Sequence, residues 1–151
     1  MTTKEELLAS PLEALEAVYR DAPVRPAPAA CFRGRVLHRV DAALARSVVG
    51  DMIVAPFDRL SFGVDFARSC WFFVHPGLRM GRFRVDPGPS RWRDTGTLRL
   101  RYDGSRLPIR GLLYDEVKPL DDGLCLGLGG VQLGPGRGDL FWFLLEALPG
   151  G

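Results

Sequence analysis

From Leu112 to Leu148 the chain reads LLYDEVKPLDDGLCLGLGGVQLGPGRGDLFWFLLEAL. Three strand-length apolar runs are parted by turns at Asp122-Gly123 and Gly134-Pro135-Gly136. Strands joined this closely can only pair antiparallel. The last run carries Phe141-Trp142-Phe143, the most aromatic stretch of the chain. So apolar a strand has to be buried, which makes it the closing strand of a β-barrel or strongly curled sheet rather than a bare edge.

The segments before it fit the same architecture. Arg68 to His75 is apolar on both faces, the mark of a strand covered on both sides. Arg79 to Asp86 alternates Phe83 and Val85 with Arg82, Arg84 and Asp86. Thr95 to Asp103 alternates Leu98, Leu100 and Tyr102 with Thr97, Arg99 and Arg101. Pro87-Gly88-Pro89-Ser90 and Asp103-Gly104 read as the turns between them, and Leu107 to Pro119 as a long strand. Roughly seven antiparallel strands at hairpin spacing spell a mainly β chain, a single up-and-down barrel or strongly curled sheet, with a half-open sheet folded round the first helix as the alternative. Gly81, Gly111, Gly127, Gly129 and Gly130 lie inside strands, where curvature needs them.

Ahead of the strands, residues 3 to 20 form an amphipathic helix with Leu7, Leu8, Leu12, Leu15 and Val18 on one side. Ser10-Pro11 can restart it, and Pro23, Pro26 and Pro28 make an extended connector. The helix is expected to plug or cover an open side of the sheet, or to act as a partner-binding arm. Cys31 to Val40 reads as a strand. Asp41 then caps a helix that Pro56 ends, and Phe57 to Phe66 is ambiguous between loop and strand. The whole chain reads as one domain, with residues 1–28 as helix and connector and 29–148 as barrel.

Composition narrows the function. Cys31, Cys70 and Cys125 are odd in number and far apart, which argues against a disulfide framework and a zinc site. No other sequence pattern calls for a metal or a cofactor. Gly127-Leu128-Gly129-Gly130 precedes no helix and no Lys-Ser/Thr, so it is not a phosphate loop. All but two of the 20 basic residues are arginine, but the net charge of +2 does not point to nucleic acid. No apolar run is long enough for membrane insertion. The acidic, polar start is unlike a secretory signal, so the cytoplasm is the expected location.

The segment Leu98 to Tyr102 with Asp103-Gly104, then Leu113-Tyr114-Asp115, Asp121 to Gly127, and Asp139 to Glu146 resembles the C-terminal half of the bacterial GXWXG-type proteins, a lipocalin-like group. Ala30-Cys31-Phe32-Arg33-Gly34 stands where that family has Gly-x-Trp-x-Gly. The resemblance implies a β-barrel able to hold a small apolar molecule, and it supplies no catalytic residue.

Candidate chemistry comes from the residues themselves. His75, in His75-Pro76-Gly77 at the end of a buried strand, is either a general base at a barrel mouth or a turn cap. Asp115 shares strand parity with Leu113 and Val117. It is either an interior carboxylate of raised pKa or the partner of a buried arginine. A register shift of one residue would put Tyr114 and Glu116 inside instead. Arg82, Arg84, Arg99 and Arg101 form either a solvated face or a fork-lined site for an anionic group. Trp71 and Trp142 are candidate core or ligand-contact residues. Trp92, between Arg91 and Arg93, is expected exposed at a barrel rim, and His38 exposed on its strand.

The expected function is therefore binding of a small, largely apolar molecule in a barrel cavity, with an anionic handle met by arginine. Trp92, Arg82, Arg84, Arg101, Trp71 and Trp142 are the expected ligand contacts. The alternatives are a cofactor-independent cyclase, isomerase or dehydratase acting on a biosynthetic intermediate through Asp115, His75 and Tyr114, and a protein-interaction module using the N-terminal helix.

Overall fold

The structure is a computed structural model that describes residues 2–102, 111–132 and 134–150. Two short helices, α1 (Lys4–Ala9) and α2 (Leu12–Asp21), precede β1 (Cys31–Arg39) and α3 (Val48–Arg59). Then come β2 (Phe62–Asp65), β3 (Cys70–Phe73), β4 (Arg79–Arg82), β5 (Arg84–Pro89), β6 (Gly96–Arg101), β7 (Leu113–Pro119), β8 (Leu124–Val131) and β9 (Asp139–Ala147). The nine antiparallel strands make one sheet in the order β4-β3-β2-β1-β9-β8-β7-β6-β5. Only Phe83 separates β4 from β5, the two outermost strands of that order. The two edges of the sheet therefore meet. One stretch of chain pairs with β3 through its first half and with β6 through its second. The sheet is thus rolled into a nearly closed lipocalin-like barrel, seamed where β1 pairs with β9.

Three expectations change in detail. Pro87-Gly88-Pro89 is strand, not turn. A strand with only one partner tolerates proline because the missing N–H can fall on the unpaired side. The helix after β1 is capped by Ser47, whose Oγ accepts from the Gly50 N–H at 3.1 Å, rather than by Asp41. It also runs through Pro56 to Arg59. A proline this close to the C-terminal end forfeits one helical hydrogen bond and leaves the last turn in place. The Asp103-Gly104 turn and the start of the expected Leu107–Pro119 strand lie outside the described residues.

The glycines of β8 serve space as well as curvature. A Cβ on Gly127 would collide with the Phe143 ring, and one on Gly129 would lie 2.6 Å from the Phe141 ring and 3.0 Å from Asp115 Oδ1. Rings from β9 occupy the barrel interior over these bare positions. Gly129→Ala is expected to destabilise the chain by roughly 1–3 kcal/mol through overpacking. Denaturant unfolding at neutral pH checks this, and an unchanged midpoint would show that the rings can yield.

The N-terminal helices cover the outer wall of the barrel. Thr3 starts α1 with a reciprocal capping box to Glu6, and Ser10-Pro11 breaks the helix before α2. Leu7, Leu15 and Tyr19 are fully buried, and the Tyr19 ring meets Trp142 of β9 edge-on at 5.2 Å. With its apolar face spent on the barrel wall, this segment is part of the folded body. The open end is covered by α3 instead, which lies against β1 and β9. Among the described residues no helix is long and apolar enough to cross a membrane.

Candidate functional site

Alternation along β7 decides what faces inward. Leu113 and Asp115 line a cavity at the α3 end of the barrel, while Tyr114 and Glu116 point to the outer wall under α2. The cavity encloses about 40 Å³ of free volume. Its walls are Phe62 and Val64 of β2, Trp71 of β3, Leu100 of β6, and Phe141 and Phe143 of β9. Tyr102 completes them, just past β6, and Ile53 and Phe57 reach in from α3. Among the described residues Asp115 and Tyr102 bring the only carboxyl and hydroxyl groups to this wall.

Asp115 faces Leu100 across the β6–β7 pair, and the Tyr102 hydroxyl donates a hydrogen bond to Asp115 Oδ2. Asp115 is half-buried and lines the cavity. Enclosure by protein raises its pKa to about 7, against the opposing pull of hydrogen bonds from Tyr102 and the Gly130 backbone. Burial and the neighbouring carboxylate likewise push the Tyr102 phenol well above its ordinary value. The dyad is a hydrogen-bonded pair in an aromatic-walled cavity, able to orient a polar group or to accept and return a proton near neutral pH.

The mouth is ordered by polar contacts. His75 Nδ1 accepts from the Gly77 N–H at 3.0 Å, so this histidine caps the β3–β4 turn, and it is absent from the cavity wall. Next to it Val74 sits at a positive φ of 68°, unusual for a β-branched residue. Its N–H bonds the Ser61 carbonyl, and its own carbonyl accepts from Arg33 at 3.0 Å.

Of the remaining candidates, Trp71 alone lines the cavity. Tyr114 is buried on the outer wall, where its hydroxyl donates to Glu116 Oε1 at 2.9 Å. Trp92 is buried too, not exposed at a rim: a loop fold-back packs it edge-on against Tyr114 at 5.1 Å. Trp142 is fully buried outside the cavity, under Tyr19 and the Arg93 guanidinium. Arg82 and Arg84 are exposed, and Arg101 stands opposite both Arg84 and Tyr114 in the sheet; none of the three lines the cavity. Arg99 is held by Asp86 at 2.7 Å. His38 is half-buried, bonded to the Ser10 carbonyl at 2.9 Å. Among the described residues no cluster of His, Cys, Asp and Glu could hold a metal ion.

Two site residues escape a reading of the sequence alone. Tyr102 shares parity with Leu98 and Leu100, so its inward direction is legible, but its pairing with Asp115 depends on the β6–β7 register. Phe57 enters the cavity only because α3 continues past Pro56.

No family model and no curated protein matches the chain. A crystal structure of a protein from Thermomonospora curvata is similar to it with a TM-score of 0.55 and 17% sequence identity, over 92% of this chain and 88% of that one. At that identity the likeness is one of fold alone.

Proposed function

We propose that the barrel binds a small, largely apolar molecule in the cavity at its α3 end, oriented by Asp115 and Tyr102. The observation that carries this reading is a single carboxyl–phenol pair set in an otherwise apolar, aromatic-rich wall. A free volume of about 40 Å³ admits little more than a few waters, so a ligand enters as Phe57 gives way. The arginine handle expected from the sequence finds no support in the lining residues, and the polar contact falls to the dyad. Binding to a mixed library, followed by thermal shift and native mass spectrometry, tests the proposal. Hits on the native chain are expected to weaken roughly tenfold in Tyr102→Phe and Asp115→Asn, the loss of one buried polar contact. A library that yields no bound species would sink it.

A second reading is favoured by the same acid. A carboxyl poised near neutral pH inside an apolar cavity suits cofactor-independent proton transfer on a bound intermediate, with Asp115 as the base and Tyr102 as its positioning partner. His75 and Tyr114 have no part in it, because neither reaches the cavity.

A further inference from the structure

The charge balance of the cavity is incomplete. Hydrogen bonds from the Tyr102 hydroxyl and the Gly130 backbone both run toward the Asp115 carboxyl, an arrangement suited to the anion. Among the described residues no arginine, lysine or histidine lines the cavity, and Glu116, the next residue along β7, adds repulsion. An enclosed carboxylate of this kind is costly unless a proton or a cation neutralises it, and near neutral pH a bound cation can take the proton's place.

The walls favour the same kind of partner. Phe62, Trp71, Phe141 and Phe143 present aromatic rings around the space, and ring faces attract organic cations. Phe57 already occupies the position of an apolar guest. Its ring lies 5.3 Å from Phe62, 5.7 Å from Trp71, 5.5 Å from Phe73 and 5.2 Å from Phe141, centroid to centroid. Withdrawing this one side chain opens an aromatic box of about one ring's size, continuous with the space beside Asp115.

We infer that the ligand of this cavity is an organic cation, an amine or quaternary ammonium on an apolar, ring-bearing body. Its ammonium pairs with Asp115 and its body takes the place of Phe57. The inference rests on the proposed binding function and narrows it to a charge class. A carboxylate or phosphate ligand would meet Asp115 as a like charge. A neutral alcohol would leave the carboxylate without a counter-ion.

A matched set of probes separates these cases: 4-phenylbutylamine, 4-phenylbutanol and 4-phenylbutyrate, titrated by calorimetry at neutral pH into the full chain, Phe57→Ala and Asp115→Asn. The amine is expected to bind roughly tenfold or more tighter than the alcohol, with the carboxylate weakest. Phe57→Ala should tighten the amine and the alcohol alike by emptying the box. Asp115→Asn should abolish the amine's advantage, weakening the amine at least tenfold more than the alcohol. If the alcohol or the carboxylate binds as well as the amine, the cationic assignment is wrong and the binding function stands. If no probe binds even to Phe57→Ala, the binding function falls with it.

Discussion

Replacing Asp115 by Asn is expected to flatten a fall in stability that the raised Asp115 pKa predicts for the native chain between about pH 4 and about pH 8. The sign follows from the direction of the shift. The folded pKa of Asp115 is about 7, above the ordinary 3.8, so the folded state holds this proton more tightly than the unfolded state does. The resulting stabilisation is fully present below about pH 4 and is lost as pH rises through about 7. At about 1.4 kcal/mol per unit the full shift corresponds to about 4 kcal/mol, and access of water to the cavity reduces this to roughly 2–4 kcal/mol. Asn keeps the shape without the charge. Denaturant unfolding of both proteins at several pH values should therefore show curves that diverge between about pH 4 and about pH 7 and run parallel above that, with the variant relatively favoured at the higher pH. Curves parallel throughout would mean that Asp115 titrates in the folded protein much as it does in water.

Much of this arrangement is legible in the chain, and the exceptions have identifiable causes. Alternation in β6 fixes its inner face, and Leu113, Asp115 and Val117 share a parity that needs no structure to read. What alternation cannot say is which face of a doubly covered strand is the cavity. Tyr114 and Glu116 are as buried as the inward residues, because α2 covers the outer wall. Trp92 misleads for the same reason: its arginine neighbours suggest solvent, yet Arg93 is taken up by Glu16 and Asp139 and the indole folds inward. Phe57 is hidden by a local rule that tertiary context overrides. Proline commonly ends a helix, but here the last turn is held because its phenylalanine is anchored among four rings. The arginines read as a possible anion fork belong instead to the outer face, where alternation leaves them once the leucines of β6 turn inward.

Glu116→Ala is expected to destabilise the fold by about 3–5 kcal/mol, chiefly by unlatching the N-terminal helices. Glu116 is fully buried and collects four donors. The Tyr19 hydroxyl reaches Oε2 at 3.0 Å and Ser90 Oγ reaches it at 2.6 Å, while Tyr114 and the Arg91 N–H bond Oε1. One carboxylate thus ties α2, the β5–β6 loop and β7 together. Lys118, also buried, donates to the Ala22 carbonyl and Thr95 Oγ1 at 2.7 Å each and lies over the Tyr19 ring at 5.2 Å, closing the latch at the end of α2. Truncation strands these donors in a dry site, each worth about 1–3 kcal/mol when left without a partner. Glu116→Gln preserves the volume, and the hydroxyls can rotate to meet an amide, so its loss should be smaller, about 1–2 kcal/mol. Denaturant unfolding ranks the two variants. Limited proteolysis locates the damage, since cleavage between residues 22 and 30 should accelerate in Glu116→Ala while the barrel strands stay protected. If both variants lose equally and the N-terminal segment remains resistant, the latch is not what holds the helices, and their attachment comes from the buried Leu7, Leu15 and Tyr19 alone.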